Sequence, residues 1–182
     1  MGLQKIQTID NGLDVLFKEF TLIASSVAFD IVGDLFDDGL IEKQTYPGIY
    51  YIELNTAGKT ATTLEDWLDA FQQEWMDEQY RNQFVANPQK KRVKIHKESG
   101  VLLPWMPVYI GKSKNVGQRL HQHVHFPLKQ RTFSMKLGCR PTMMTRAWRV
   151  STIDLSGIVN YDVIAPKLET AMRNKYHPIV GR

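Results

Sequence analysis

The run Pro107-Val108-Tyr109-Ile110-Gly111-Lys112-Ser113-Lys114-Asn115-Val116-Gly117-Gln118-Arg119-Leu120-His121-Gln122-His123 carries a short apolar strand through a Gly turn into a helix. Asn115 is placed to cap that helix, with Gln118 three residues on in a capping-box arrangement, and Phe126-Pro127 ends it. At about 100° per residue, Val116, Leu120 and Val124 form one apolar stripe. Arg119 and His123, four apart, share a rim beside it. Taken alone, that rim reads as a solvated polar edge. His121 and His125 are also four apart but point away from the rim, and nothing nearby in sequence completes a metal site on them.

Upstream, Tyr46-Pro47-Gly48-Ile49-Tyr50-Tyr51-Ile52-Glu53-Leu54 reads as a second strand. Gly48-Ile49-Tyr50, then Tyr109-Ile110-Gly111 with Arg119 and His123 on the attached helix, resembles the GIY-YIG nuclease superfamily over residues 46 to 55 and 107 to about 181. The resemblance implies an α+β fold whose small core is a three-stranded antiparallel sheet with helices. An N-terminal helical segment, residues 1–45, and a long insertion between the first two strands, residues 55–106, elaborate that core within a single domain, 1–182.

The same resemblance implies a metal-dependent DNA endonuclease. One Mg²⁺ would sit on Glu169, Arg119 on the scissile phosphate, and Tyr50 would be the base or water-orienting group, helped by Tyr109 and His123. Lys112 is a further phosphate contact. Whether Tyr50 or His123 takes the proton stays open, since a tyrosine with a pKa near ~10 is a poor base at neutral pH. Outside the family frame, Glu169 and Arg173 are spaced for an i,i+4 salt bridge. The family usually carries an Asn shortly after the Pro of its last helix, whereas here His177-Pro178-Ile179-Val180 is followed by Gly181.

A chain of 182 residues leaves no room for the separate DNA-binding domain of many superfamily members, so the insertions must do the recognising. Leu137-Gly138-Cys139-Arg140 is loosely similar to the type II restriction endonuclease branch. The expectation is a site-specific double-stranded DNA endonuclease leaving 5′-phosphate and 3′-hydroxyl ends, with a symmetric homodimer suited to a palindromic site. The alternatives are a mobile-element or structure-specific nuclease and a catalytically silent DNA-binding protein.

Charge is compatible with that partner. The net charge of +4 divides into −10 over residues 1–89 and +14 over residues 90–182. The half that carries most of the motif suits a polyanion, although the two halves could instead pair with each other. A hydrophobic share of 43% with 23% charged residues is ordinary globular composition. No apolar run approaches a bilayer span and no leader-like segment opens the chain, so an intracellular, cytoplasmic protein with no membrane partner is expected. Cys139 stands alone and reads as a small buried residue.

Along the remaining chain, Asp10-Asn11-Gly12 signals a turn, and Leu13 to Phe36 keeps helical spacing in one or two amphipathic helices. Asp34, Asp37 and Asp38 read as turn residues. Thr63 caps a helix over residues 64–84, and Lys90 to Lys97 alternates basic and apolar as a strand or extended arm. Lys91, Arg92, Lys94 and Lys97 are therefore candidate DNA contacts, joined by Lys129, Arg131, Lys136 and Arg140 from a loop-like segment. Thr145 to Ile153 reads as the third strand. Pro166 is expected to open the last helix, which ends before His177-Pro178.

Overall fold

A computed structural model describes residues 2–57, 63–80 and 83–181. The fold is α+β. Helix α1 (Gly2–Ala24) precedes strand β1 (Asp30–Asp34) and a short helix α2 (Asp38–Ile41), and strand β2 (Gly48–Asn55) follows. Helices α3 (Leu64–Trp75) and α4 (Lys90–Ser99) lead to strand β3 (Trp105–Ser113) and helix α5 (Val116–His125). A one-turn helix α6 (Pro141–Met144), strand β4 (Trp148–Asp154) and helix α7 (Tyr161–Tyr176) complete it.

The sheet has four antiparallel strands in the order β1-β4-β2-β3, so the three-stranded expectation is corrected. The extra strand, β1, lies in the segment expected to continue as helix. Ser25 and Ser26 turn their hydroxyls back onto the carbonyls of Leu22 and Ile23, competing with the backbone where α1 stops. Ile31 and Val32 then lie in β1 at the free edge of β4. Asp34 and Asp37 are turn and cap residues, as their spacing suggested: Asp37 Oδ1 accepts from Leu40 N at 3.1 Å.

Strand β2 is central, and its period-two alternation divides the interior. Tyr50, Ile52 and Leu54 face α3 and α5, where Trp67, Phe71, Trp75, Val116, Leu120 and Val124 are buried. Ile49 and Tyr51 face α7, with Leu168, Met172 and Ala24. The aromatics of the insertion are thus core. The helix expected over residues 64–84 stops at Trp75 and is followed by a single 3-10 turn, Glu78–Tyr80; residues 81 and 82 lie outside the described residues.

Further expectations are corrected. Lys90 to Lys97 is helix α4, not a strand: Val93 and His96, three apart, are its buried residues, while Ile95 is exposed. Helix α7 starts at Tyr161, placing Pro166 five residues inside rather than at its first position. Asp10-Asn11-Gly12, expected as a turn, lies inside α1, and the strand expected from Thr145 begins at Trp148, whereas the start of α5 and the end of α7 agree. Asn115 Oδ1 accepts from Gln118 N at 2.9 Å, and α7 stops at Tyr176 with His177 left-handed.

Candidate active site

The site forms where α5, on one face of the sheet, and α7, on the other, meet around the outer edge of β3. Pairing of β2 with β3 sets Tyr50 against Gly111 and Ile52 against Tyr109. The rings of Tyr50 and Tyr109 therefore stack, with centroids 6.0 Å apart and 12° between planes. Gly111 is required by this approach, because a Cβ there would collide with the Tyr50 hydroxyl and lie 2.9 Å from Tyr109 Cε1.

His123 is not on a solvated rim; it is fully buried between the two tyrosines. Its Nδ1 accepts a hydrogen bond from Met135 N at 3.1 Å. A neutral imidazole with Nδ1 as acceptor carries its proton on Nε2, which donates to the Tyr50 hydroxyl at 2.9 Å. Burial, and secondarily the Arg119 charge, push the imidazole well below its usual pKa, so it stays neutral. Burial above all raises Tyr50 well above the ordinary phenol value, with Tyr109 adding to it and the Arg119 guanidinium opposing.

Arg119, half-buried on α5, lies beside both tyrosine hydroxyls and is held by Gln122 Oε1 at 2.6 Å and by the Phe133 carbonyl. From α7, Glu169 and Arg173 reach the same place. Arg173 donates from Nε and Nη2 to the Ile110 carbonyl, at 3.1 and 2.9 Å, and its Nη2 bridges Glu169 Oε1 at 2.7 Å. This is a β3 edge carbonyl satisfied by a side chain, and it explains why Arg173 belongs to the site although sequence spacing offered it only as the partner of Glu169. Tyr50, Tyr109, Lys112, Arg119, Glu169 and Arg173 line one cleft of about 530 Å³.

The insertion and the chain's last residues close that cleft. Ile179 and Val180 donate to the carbonyls of Pro107 and Val108, covering the β3 edge, and Gly181 N donates to Asn87 O at 2.9 Å. Asn87 and Gln89 line the cleft, and Gln89 Nε2 donates to the Gly181 carbonyl. Gly181 has φ 109°, and its missing Cβ would lie 2.9 Å from the Tyr109 ring. An Asn cannot take that position without moving Tyr109, and the amide-bearing residues that line the cleft are Asn87 and Gln89. Nothing local in the sequence links residue 87 to residue 181.

The proposed DNA contacts separate into groups. Lys136 is fully buried, its Nζ donating to the carbonyls of Leu128 and Gln130 at 2.7 and 2.6 Å. Arg140 is buried between the rings of Trp75 and Tyr80, 4.2 and 3.9 Å from their centroids, and donates to Met135 O and Trp75 O. Both are corrected from surface contacts to interior braces. Lys97 is held by Asp69 at 2.9 Å and Glu65 at 3.5 Å, one instance of the two charge halves meeting. Arg149 with Glu53 is another. Lys94 faces Glu98 on its own helix at 3.6 Å. Lys91, Lys112, Lys129 and Arg131 are exposed, and Arg92 is half-buried, with Arg173 near enough to lower its pKa after burial does.

Three lesser expectations resolve here. The rings of His121 and His125 lie tilted with centroids 4.5 Å apart, but His125 Nε2 bonds Asp38 Oδ1 at 2.7 Å. No group of three or more metal-ligating side chains forms among the described residues. Cys139 is half-buried rather than fully so. No helix among the described residues is long and apolar enough to cross a membrane. Comparison with protein-family models, curated proteins and solved structures returns no match.

Proposed function

We propose that this chain is a metal-dependent DNA endonuclease of the GIY-YIG type, in its site-specific, restriction-enzyme form. The observation that carries the reading is the convergence of Arg119, Glu169 and the paired tyrosines on one cleft from three separate parts of the chain. Phosphodiester hydrolysis needs a positioned water, a cation on the phosphate and a stabilised leaving oxygen. Tyr50 keeps its own O–H donor once His123 Nε2 and the Arg119 guanidinium have used its oxygen as acceptor. We assign it to orienting the attacking water. His123 touches no solvent and has both nitrogens engaged, so it acts as a positioning residue for Tyr50 and not as the base.

Glu169 is the only carboxylate among the described residues lining the cleft. A lone hard oxygen donor beside a phosphate site fits Mg²⁺, which keeps most of its shell as water and substrate oxygen. When bound, that ion supplies charge neutralisation for the phosphate and leaving oxygen. Arg119 takes the scissile phosphate, Tyr109 flanks it, and Lys112 extends the cationic side of the cleft.

Helix α4 supports a polyanionic substrate. Its first turn carries Lys90, Lys91 and Arg92 and no acidic residue of its own, which sets positive charge beside the cleft. Gln89, immediately before it, lines the cleft. Exposed Lys129 and Arg131 offer a second group of backbone contacts.

The test is Glu169→Gln. It is expected to abolish Mg²⁺-dependent cleavage while DNA binding persists; wild-type cleavage by the variant overturns the metal assignment. A catalytically silent DNA binder is the second reading, favoured by the Arg173 bridge that already engages Glu169. Incubation of wild-type protein with a mixed DNA library and Mg²⁺ separates the readings. Discrete fragments support the restriction form, smears a weakly selective nuclease such as a mobile-element or structure-specific enzyme, and shifted but uncut DNA the binder.

A further inference from the structure

Helix α1 is 23 residues long, but its two ends live in different surroundings. At the C-terminal end Ala24 is buried, Phe20 packs on the core beneath α7, and the Lys167 ammonium lies 3.6 Å from the centre of the Phe17 ring. Toward the N-terminus, Leu3, Ile6, Ile9, Leu13 and Leu16 are between 42% and 69% exposed.

Those exposed residues are patterned. Ile6, Ile9, Leu13, Leu16 and Phe20 are spaced three, four, three and four apart, the a and d positions of consecutive heptads, with Leu3 flanking at e. The seam runs into the face that docks on α7, with Phe20 common to both. Where α7 stops covering it, its apolar side chains face outward. Most helical stability in proteins comes from packing of an apolar face, and this helix includes Thr8, Asn11 and Gly12, which weaken it when unpacked. Packing on the seam is what would hold it.

The polar face excludes two other occupants. Residues 2–24 hold two lysines against three acidic residues, so the helix offers no cationic face to anionic lipid or nucleic acid. The flanks suit a second copy instead: Lys5 at g and Asp10 at e are the positions whose charges pair across a parallel two-helix seam. Five apolar side chains from each copy, each removing on the order of 100 Å² from water, bring the pair to the roughly 1,000 Å² of a specific interface.

We propose that the N-terminal half of α1 is a dimerisation helix, its Ile6-Ile9-Leu13-Leu16 seam packing in parallel against the same seam of a second copy. This does not rest on the nuclease reading. Sedimentation equilibrium of the full chain, without DNA, is the test. Wild type is expected to be dimeric at micromolar concentration, and Leu13→Asp to raise the dimer dissociation constant at least about 100-fold, because a carboxylate in the seam must be desolvated. Gln7→Asp, with the same charge change on the outer face, is expected to leave the dimer intact. Near-ultraviolet circular dichroism of the buried tryptophans checks that both variants keep their fold, and Leu16→Asp replaces Leu13→Asp if that variant does not. A wild-type monomer at about 100 µM overturns the proposal. So does a dimer that the seam variant leaves unchanged, which would place the interface elsewhere.

Discussion

Helices α4 and α5 are each ten residues long and each is rich in basic or imidazole side chains, yet they are built by opposite means. In α5 local and tertiary signals agree. Asn115 caps it, Val116, Leu120 and Val124 are buried along one stripe, and the stripe fixes His123 in the interior with Arg119 at its edge. In α4 the preceding Gln89 makes no side-chain cap. Its backbone N–H instead donates to the Ile179 carbonyl at 2.8 Å, so the helix is anchored by the far end of the chain. The comparison separates two ways of placing a cation. One helix sets a few groups in a fixed pocket where chemistry is possible, and the other sets charge on a surface that affinity would use.

The largest expected effect comes from breaking the α5 side of that contrast. Arg119→Ala is expected to lower the single-turnover cleavage rate by about 10² to 10³, the usual loss on removing one transition-state donor. DNA affinity should change little. Arg173→Ala acts differently: it frees Glu169 but leaves the Ile110 carbonyl unpaired at the sheet edge, so the loss of rate should come with a loss of thermal stability. A rate loss from Arg119→Ala no greater than that from Lys91→Ala would erase the distinction between the helices.

The next effect concerns cations that serve neither purpose. Arg140→Ala removes two ring contacts and two hydrogen bonds to buried carbonyls, and is expected to cost about 2 to 4 kcal/mol of folding stability. Chemical denaturation measures it. The salt dependence of DNA binding by the folded fraction should be unaltered, since Arg140 reaches no surface. A changed salt slope would return Arg140 to the recognition surface.

What could be read beforehand follows the same division. The α5 stripe was legible because helical spacing is local and brings Arg119 near His123, although it set His123 on a rim and not in the interior; Tyr50 meets Tyr109 through the pairing of two strands that the tripeptides marked. The tautomer of His123 was not legible, because Met135 N–H lies twelve residues away on a loop. Lys90 to Lys97 misled because Val93 and Ile95 alternate with lysines, although the buried pair is Val93 and His96, a helical spacing. Strand β1 was hidden because Ile23, Val27, Ile31 and Leu35 fit a helical period that only the pairing with β4 overrides. Arg173 and Asn87 entered the site through contacts with β3 and Gly181, which no spacing rule encodes.

A smaller effect is set by pH and sharpens the claim that α5 holds His123 neutral. His123 is kept well below its usual pKa in the folded protein, chiefly by burial, while in the unfolded chain it titrates near about 6.5. Below that value the unfolded state binds the extra proton. Stability from this residue is therefore fully present above about pH 6.5 and declines as pH falls, by up to about 1.4 kcal/mol per unit. His123→Asn should flatten that decline. An unchanged slope between pH 4.5 and about 6.5 would mean the imidazole is charged in the folded state and the tautomer assignment is wrong.

The smallest effect lies within α4 itself, where neighbouring lysines should behave unequally. Lys91 is exposed at the end of the helix nearest the cleft, whereas Lys97 stands at the other end, held by Asp69 and Glu65 of α3. A lysine that lies on a phosphate releases about one counterion, so Lys91→Ala should reduce the slope of log affinity against log salt by roughly 0.9 on any DNA sequence. Lys97→Ala should leave the slope alone, because its charge is already matched within the protein. Single-turnover cleavage at saturating protein should be the same for both variants and for wild type. A wild-type slope for Lys91→Ala as well as for Lys97→Ala would mean that α4 does not meet the phosphate backbone. In that case Lys129 and Arg131, exposed on the loop after α5, become the residues to replace.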